Sequence, residues 1–208
     1  GEYKLQVAGY AETTIVVDKA VNSELELYFV TSGATTVKNE ANDAVYTLNN
    51  KSDKITLPAG TKALSFRVKV VNYTVDSKAD SCGLHVTSDT GERNGTPELW
   101  LKEGTFKART CWGTWAPFSN YQLAKLTGDG LFISLEIKDG MIYYYAETYE
   151  GNLNLMAKAA PDNKAAVTEF RTIALVDITG GVVVSELTVS DTVDNSKIVI
   201  EKIANGTI

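Results

Sequence analysis

The chain has 208 residues, of which 44% are hydrophobic and 22% charged, enough apolar material for the core of one sizeable domain. Its formal net charge of −6 argues against nucleic acid and against an anionic membrane surface, since phosphates on either would be repelled. No apolar run approaches the roughly 20 residues of a membrane-spanning helix, so membrane insertion is not expected.

The first forty residues hold strand-like runs at Leu5 to Val7, Thr13 to Val17 and Glu24 to Val30, followed by a polar connection from Ser32 to Asp43. Too little apolar sequence lies before residue 44 for an independent core, so residues 1–43 are expected to pack on the rest as part of a single domain over 1–208. From Ala44 to Val71 two strand-like runs flank a short turn. In the second, Leu64, Phe66, Val68 and Val70 share one side while Ser65, Arg67 and Lys69 share the other. This period of two is what a half-buried antiparallel strand requires.

Similar runs follow at Gly83 to Ser88, Pro97 to Lys102, Leu131 to Lys138, Met141 to Ala146, Phe170 to Ile178, Val182 to Ser190 and Lys197 to Ile203. Asp139-Gly140 is the strongest hairpin signal, with weaker turns at Asn94-Gly95, Gly128-Asp129-Gly130 and Gly180-Gly181. Helical turns are expected only at Asn154 to Ala160, limited by Pro161, and around Asn163 to Thr168. Many short strands without β/helix alternation predict an all-β, antiparallel two-sheet sandwich with at most short helical turns.

The segment Cys111 to Tyr121, CWGTWAPFSNY, does not alternate and is read as a loop. It concentrates Trp112, Trp115, Phe118 and Tyr121, with Thr114, Ser119 and Asn120 as polar neighbours. Flat aromatic surfaces accept the C–H faces of sugar rings, and the polar groups suit their hydroxyls. The competing reading is that these rings plug one end of the sandwich.

Strand parity offers a second group of binding residues. If Leu99 and Leu101 face the core, Trp100 points outward beside Glu98 and Lys102. By the same rule His85 opposes Leu84 and Val86, and Arg67 opposes Phe66 and Val68. An outward Trp suggests a ligand or a second covering layer. In the Tyr143-Tyr144-Tyr145 run one face must take Tyr144 and the other its two neighbours.

Cys82 and Cys111 could form a disulfide closing a loop of about 30 residues, or remain as two thiols. With one histidine they are too few for a structural zinc site. No cofactor is expected. Calcium is conceivable near Asp76, Asp80, Asp89, Asp129, Asp139 or Asp177, but no D-x-D-x-D spacing selects a loop.

The run VYTLNNKSDKITLPAGTKALSFRVKV resembles the opening strands of concanavalin A-like (laminin G-like, jelly-roll) domains. FISLEIKDGMIYYYAE is similar to their central hairpin, and RTIALVDITGGVVVSELTVSD to their closing pair, so the resemblance covers about residues 44–192. It implies a curved sandwich in a superfamily rich in lectins, carbohydrate-binding modules, glycoside hydrolases and polysaccharide lyases. The fold does not choose among these.

Retaining glucanases of this fold carry E-x-D-x-E or E-x-D-x-x-E on one strand face, where two carboxylates act as nucleophile and acid/base. Glu24 and Glu26 share a face but lack the remaining acids. The stretch from Gly83 to Thr110 is similar in spacing to the Q-I-H strand of the lyases and its successor, which implies a general-base position for His85. Gly83 replaces the Gln, however, and the Y-x-K-x-G-x-Y signature of the alginate lyases is missing.

The sequence thus predicts a non-catalytic, lectin-like domain that binds a glycan through Trp112, Trp115, Asn120, Tyr121, Trp100, His85 and Arg67. A lyase or hydrolase, and a structural or adhesion domain of a surface or viral tail protein, are the alternatives. The Thr-, Asn-, Gly- and Tyr-rich composition resembles surface and secreted β-domains, so an extracellular or cell-surface location is expected although no signal peptide is visible.

Overall fold

The computed structural model describes residues 44–74, 83–90, 97–110, 113–160, 166–176 and 180–190 in full, and strand backbone at 2–5, 13–16, 29–31, 35–38 and 80–82. The first half contains β1 (Glu2–Leu5), β2 (Thr13–Val16), β3 (Phe29–Thr31), β4 (Thr35–Lys38), β5 (Ala44–Leu48), β6 (Lys54–Thr56), β7 (Ala63–Val71), β8 (Asp80–Ser88) and β9 (Pro97–Lys102). The second contains β10 (Thr105–Thr110), β11 (Ala116–Pro117), α1 (Asn120–Thr127), β12 (Leu131–Lys138), β13 (Met141–Glu147), β14 (Leu153–Ala159), β15 (Phe170–Ala174) and β16 (Gly181–Ser190).

Two seven-stranded sheets carry the fold, one ordered β11-β10-β9-β8-β15-β6-β3 and the other β14-β13-β12-β7-β16-β5-β4. We call these the first and second sheets. All described pairings are antiparallel. Strands β1 and β2 pair with each other. The chain crosses between layers repeatedly: β5 and β7 lie in the second sheet while β6, between them in sequence, lies in the first. The closing strands β15 and β16 likewise fall in opposite sheets rather than forming a hairpin.

Alternation decides which faces meet. Leu64, Phe66, Val68 and Val70 of β7 and Leu131, Ile133 and Leu135 of β12 are all buried at 1% exposure or less. From the first sheet Leu84, Val86, Leu99, Leu101, Phe106 and Ile173 join the same core. Each such side chain contributes about 1.5–3 kcal/mol through removal from water. In the tyrosine run Tyr144 enters this core, while Tyr143 and Tyr145 stack on the opposite face with centroids 6.3 Å apart.

The Asp139-Gly140 turn joins β12 to β13, with φ values of 53° and 72°. Two consecutive positive φ angles match the twist of the hairpin, and the Gly supplies one of them without strain.

Three local expectations are corrected. Asn154 to Ala160, expected as helical turns, is almost wholly β14, paired along β13 from Ile142 to Glu147. Its Leu, Met, Ala and Lys favour helix, but an open sheet edge offers a full hydrogen-bond ladder that outweighs propensity. The polar connection at Ser32 to Asp43 contains β4, an edge strand on β5.

The third correction is α1, eight residues long where a loop was expected to run through Tyr121. Ser119 caps it: its Oγ accepts from Gln122 N at 3.3 Å, and Gln122 Oε1 accepts from Ser119 N at 2.9 Å. This reciprocal capping box satisfies two donors that a helix start leaves unpaired. Leu126 anchors the helix in the core, and Gly128 and Gly130 N–H groups close its end on Lys125 O. Among the described residues no helix is long and apolar enough to cross a membrane.

Candidate functional site

The residues singled out from sequence fall in three places. Trp112 lies outside the described residues, as do Cys111 and the Cys82 side chain, and with them the disulfide. The runs at 24–28 and 197–203, Asn94-Gly95, Asp76 and Asp177 also lie outside them, as does the Asp80 side chain.

The first place is the outward face of the first sheet. Register sets His85 opposite Glu98 and Glu98 opposite Arg109, so three polar residues form one row across β8, β9 and β10. Arg109 Nε donates to Glu98 Oε2 at 2.6 Å, and His85 Nε2 lies 3.2 Å from Glu98 Oε1 at an angle outside hydrogen-bond geometry. Burial pushes the Glu98 carboxyl up, but the contacts with His85 and Arg109 outweigh it and hold Glu98 below the ordinary glutamate range.

Aromatic rings roof this row. The Arg109 guanidinium sits 4.1 Å from the centroid of Trp115 and 5.5 Å from that of Trp100, and the two indoles meet edge to face at 5.8 Å. Charge against a π face and one ring edge against the other are both attractive. The outcome is closure: His85 is 8%, Glu98 4% and Arg109 8% exposed. Trp100, expected to point outward toward a ligand or under a second covering layer, points away from the core and is only partly exposed, with its Nε1 buried and unpartnered among the described residues.

The second place surrounds Arg67 on the outward face of the second sheet. Arg67 Nε donates to Glu186 Oε1 at 2.8 Å and Nη1 to Gly130 O at 2.9 Å, while Glu147 Oε1 lies 3.5 Å away. A bulge in β16 between Ser185 and Thr188, with Glu186 at φ 53°, aims that carboxylate. Gly130 is required here, because a Cβ would come within 2.6 Å of Arg67 Cγ. The adjoining cavity is small, about 160 Å³.

The third place holds Tyr121. Pro117, Phe118 and Ser119 run from β11 into α1, and with Tyr121 and Gln122 they form one wall of a groove of about 490 Å³. The other wall is Thr148 and Tyr149 with Asn154, Leu155 and Met156 of β14. Gln122 Nε2 donates to Glu147 O at 3.0 Å and so fastens α1 to the end of β13. Phe118 is buried beneath, at 5% exposure. Asn120 is exposed on the first turn of α1 and does not line the groove.

Tyr149 was not singled out from sequence. It is 84% exposed and meets Tyr121 edge to face, with centroids 5.7 Å apart and planes at 82°. Its turn is rigidly tied: Thr148 N donates to Asn152 O at 2.8 Å and Gly151 N to Thr148 O at 2.9 Å, with Gly151 at φ 78°. Such a turn is visible in the T-Y-E-G sequence; the exposure of its tyrosine is not.

Among the described residues no three His, Cys, Asp or Glu side chains are grouped to hold a metal ion. Asp89 accepts from the Thr168 N–H and hydroxyl, and Asp129 pairs with Lys125 at 2.8 Å.

No family model and no curated protein matches the chain. Solved structures do. A functionally unknown protein from Saccharomyces cerevisiae is similar with a TM-score of 0.50 and 11% identity, over 77% of this chain and 97% of that one. The binding domain of botulinum neurotoxin serotype D gives 0.50 and 14%, over 82% of this chain and 44% of that one. A mutant described as HCR/D gives 0.51 and 16%, over 93% and 48%. The chain therefore spans about half or less of the length of the last two. At these identities the likeness concerns the fold alone, and the two facing antiparallel sheets fit the concanavalin A-like, jelly-roll β-sandwich expected from the sequence.

Proposed function

We propose that the protein is a lectin-like carbohydrate-binding domain acting outside the cell or at its surface, and that the groove beneath Tyr121 and Tyr149 receives the sugar. One observation carries this reading: a large aromatic side chain stands 84% exposed on a hydrogen-bonded turn, at the rim of a groove lined by further aromatic and uncharged polar side chains. An exposed aromatic ring at the rim of a groove with aromatic and polar walls supports an interaction site over a packing position. A pyranose ring laid against Tyr149 would bury its C–H face and keep its hydroxyls within reach of amide and hydroxyl groups. The test is a glycan array on the purified domain, repeated with Tyr149→Ala. Specific hits that the variant loses support the reading, and an array without hits rejects it.

A second reading, a polysaccharide lyase or glycoside hydrolase, is favoured by the His85, Glu98 and Arg109 row, which unites an imidazole, a carboxylate and a cation. The 8% exposure of His85 weighs against it, since a polymer must reach the base. Product release from uronate or neutral polymers that disappears in His85→Ala would reverse this preference.

A further inference from the structure

Resting on the reading of the Tyr121–Tyr149 groove as a glycan site, we infer that its ligand is an uncharged glycan, not a uronate, a sulfated chain or a cationic amino sugar. The ten residues lining the groove are Pro, Phe, Ser, Thr, Asn, Gln, Leu, Met and two Tyr, without a single Asp, Glu, Lys or Arg. Recognition of a carboxylate or sulfate normally uses Arg or Lys, because a fixed charge removed from water needs a partner of opposite sign.

Cations elsewhere in the fold are engaged, beginning with Lys125 of α1, which pairs with Asp129 at 2.8 Å. Lys107 pairs with Glu103 at 3.0 Å, Arg109 is buried against Glu98, and Lys158 lies over the Tyr143 ring. Glu150, adjacent to Tyr149 and exposed, adds negative charge at the rim, in line with the net charge of −6. A polyanion would approach against that field. A cationic sugar finds no carboxylate in the lining itself.

The polar groups that remain are suited to hydroxyls. Among the described residues the Thr148 hydroxyl and the Asn154 amide have no hydrogen-bond partner. Ser119 Oγ accepts from Gln122 N and keeps its own O–H to donate. Each of these side chains both donates and accepts, as a sugar hydroxyl does, so either sense of bond can form. The groove volume of about 490 Å³ lies in the ordinary range for small-ligand sites and exceeds what a single ion needs.

The experiment is calorimetric titration of the whole domain with neutral oligosaccharides (cello-, manno- and galacto-oligomers), uronate oligomers and glucosamine oligomers, each at about 0.02 and about 0.5 M salt. A neutral oligomer should bind with less than about a twofold change between the two salt concentrations. Tyr149→Ala should weaken that binding about tenfold and Asn154→Ala about fivefold, while Tyr149→Phe retains it. Binding confined to uronate or glucosamine oligomers, falling steeply with salt, overturns the inference and leaves the lectin reading standing. Neutral binding that is indifferent to Tyr149→Ala removes the ligand from this groove. No binding to any of the three classes overturns the lectin reading and the inference together.

Discussion

Two clusters of large aromatic residues have opposite fates in this molecule. On the outward face of the first sheet Trp100 and Trp115 close over a row of charges, and the Arg109 guanidinium occupies the ring face that a ligand would use. At the end of α1, Tyr121 and Tyr149 touch each other edge-on and leave their groove open and free of charge. The difference lies in what sits beneath. The Arg109 guanidinium draws both indoles over the ion pair through cation–π contacts. The tyrosines stand over Phe118 and Met156, already packed, so nothing demands that they fold inward.

The largest expected effect belongs to the closed cluster. Glu98→Ala strands Arg109 as a buried cation and should cost about 3 kcal/mol, read from chemical denaturation, with glycan binding in the groove unchanged. Trp115→Ala strips the roof and should cost about 2 kcal/mol; a loss of glycan binding with stability intact would instead move the ligand to this face.

Acid sharpens the same contrast. Glu98 is held below its ordinary value when folded, so the unfolded chain binds its proton first as pH falls. Its contribution is complete above the unfolded glutamate pKa of about 4.3 and is lost as pH drops through the folded value. Stability should decline in acid below about pH 4.3, and Glu98→Gln should flatten that part of the profile.

Smaller effects are expected around the groove. Ser119→Ala removes the helix cap and should cost about 1 kcal/mol in denaturation. Because the Gln122 N–H then loses its acceptor and the groove loses the Ser119 hydroxyl, binding should weaken along with stability. Tyr149→Ala should alter stability by less than about 0.5 kcal/mol, as an exposed turn residue should.

The core was readable from sequence wherever alternation is strict. Leu64 to Val70, Leu84 with Val86, and Leu99 with Leu101 predict the face that each side chain takes, because the pleat has a period of two. The Asp139-Gly140 hairpin was readable because its turn chemistry is local. The sheet assignment of β6 and the edge pairing of β14 were not, since both depend on partners distant in the chain. α1 had a local signature, the Ser119 to Gln122 capping box, that the aromatic crowding around it obscured.

The sites show the same division. Parity set His85 and Trp100 on the outward face, but the pairing of Glu98 with Arg109 is a matter of register between β9 and β10. Arg67 and His85, both outward by parity, lie on different sheets. Tyr149 belongs to no periodic run, and its exposure follows from the turn that the β13–β14 connection adopts.

The most direct test of the proposed function is titration of the domain and of Tyr149→Ala with the best hit from a glycan array, with folding of the variant checked by its melting transition. Binding at the groove should be saturable and weakened about tenfold by the substitution, while the melting transition is preserved. Equal affinity in the two proteins, or no saturable binding to any glycan, would contradict the proposed function.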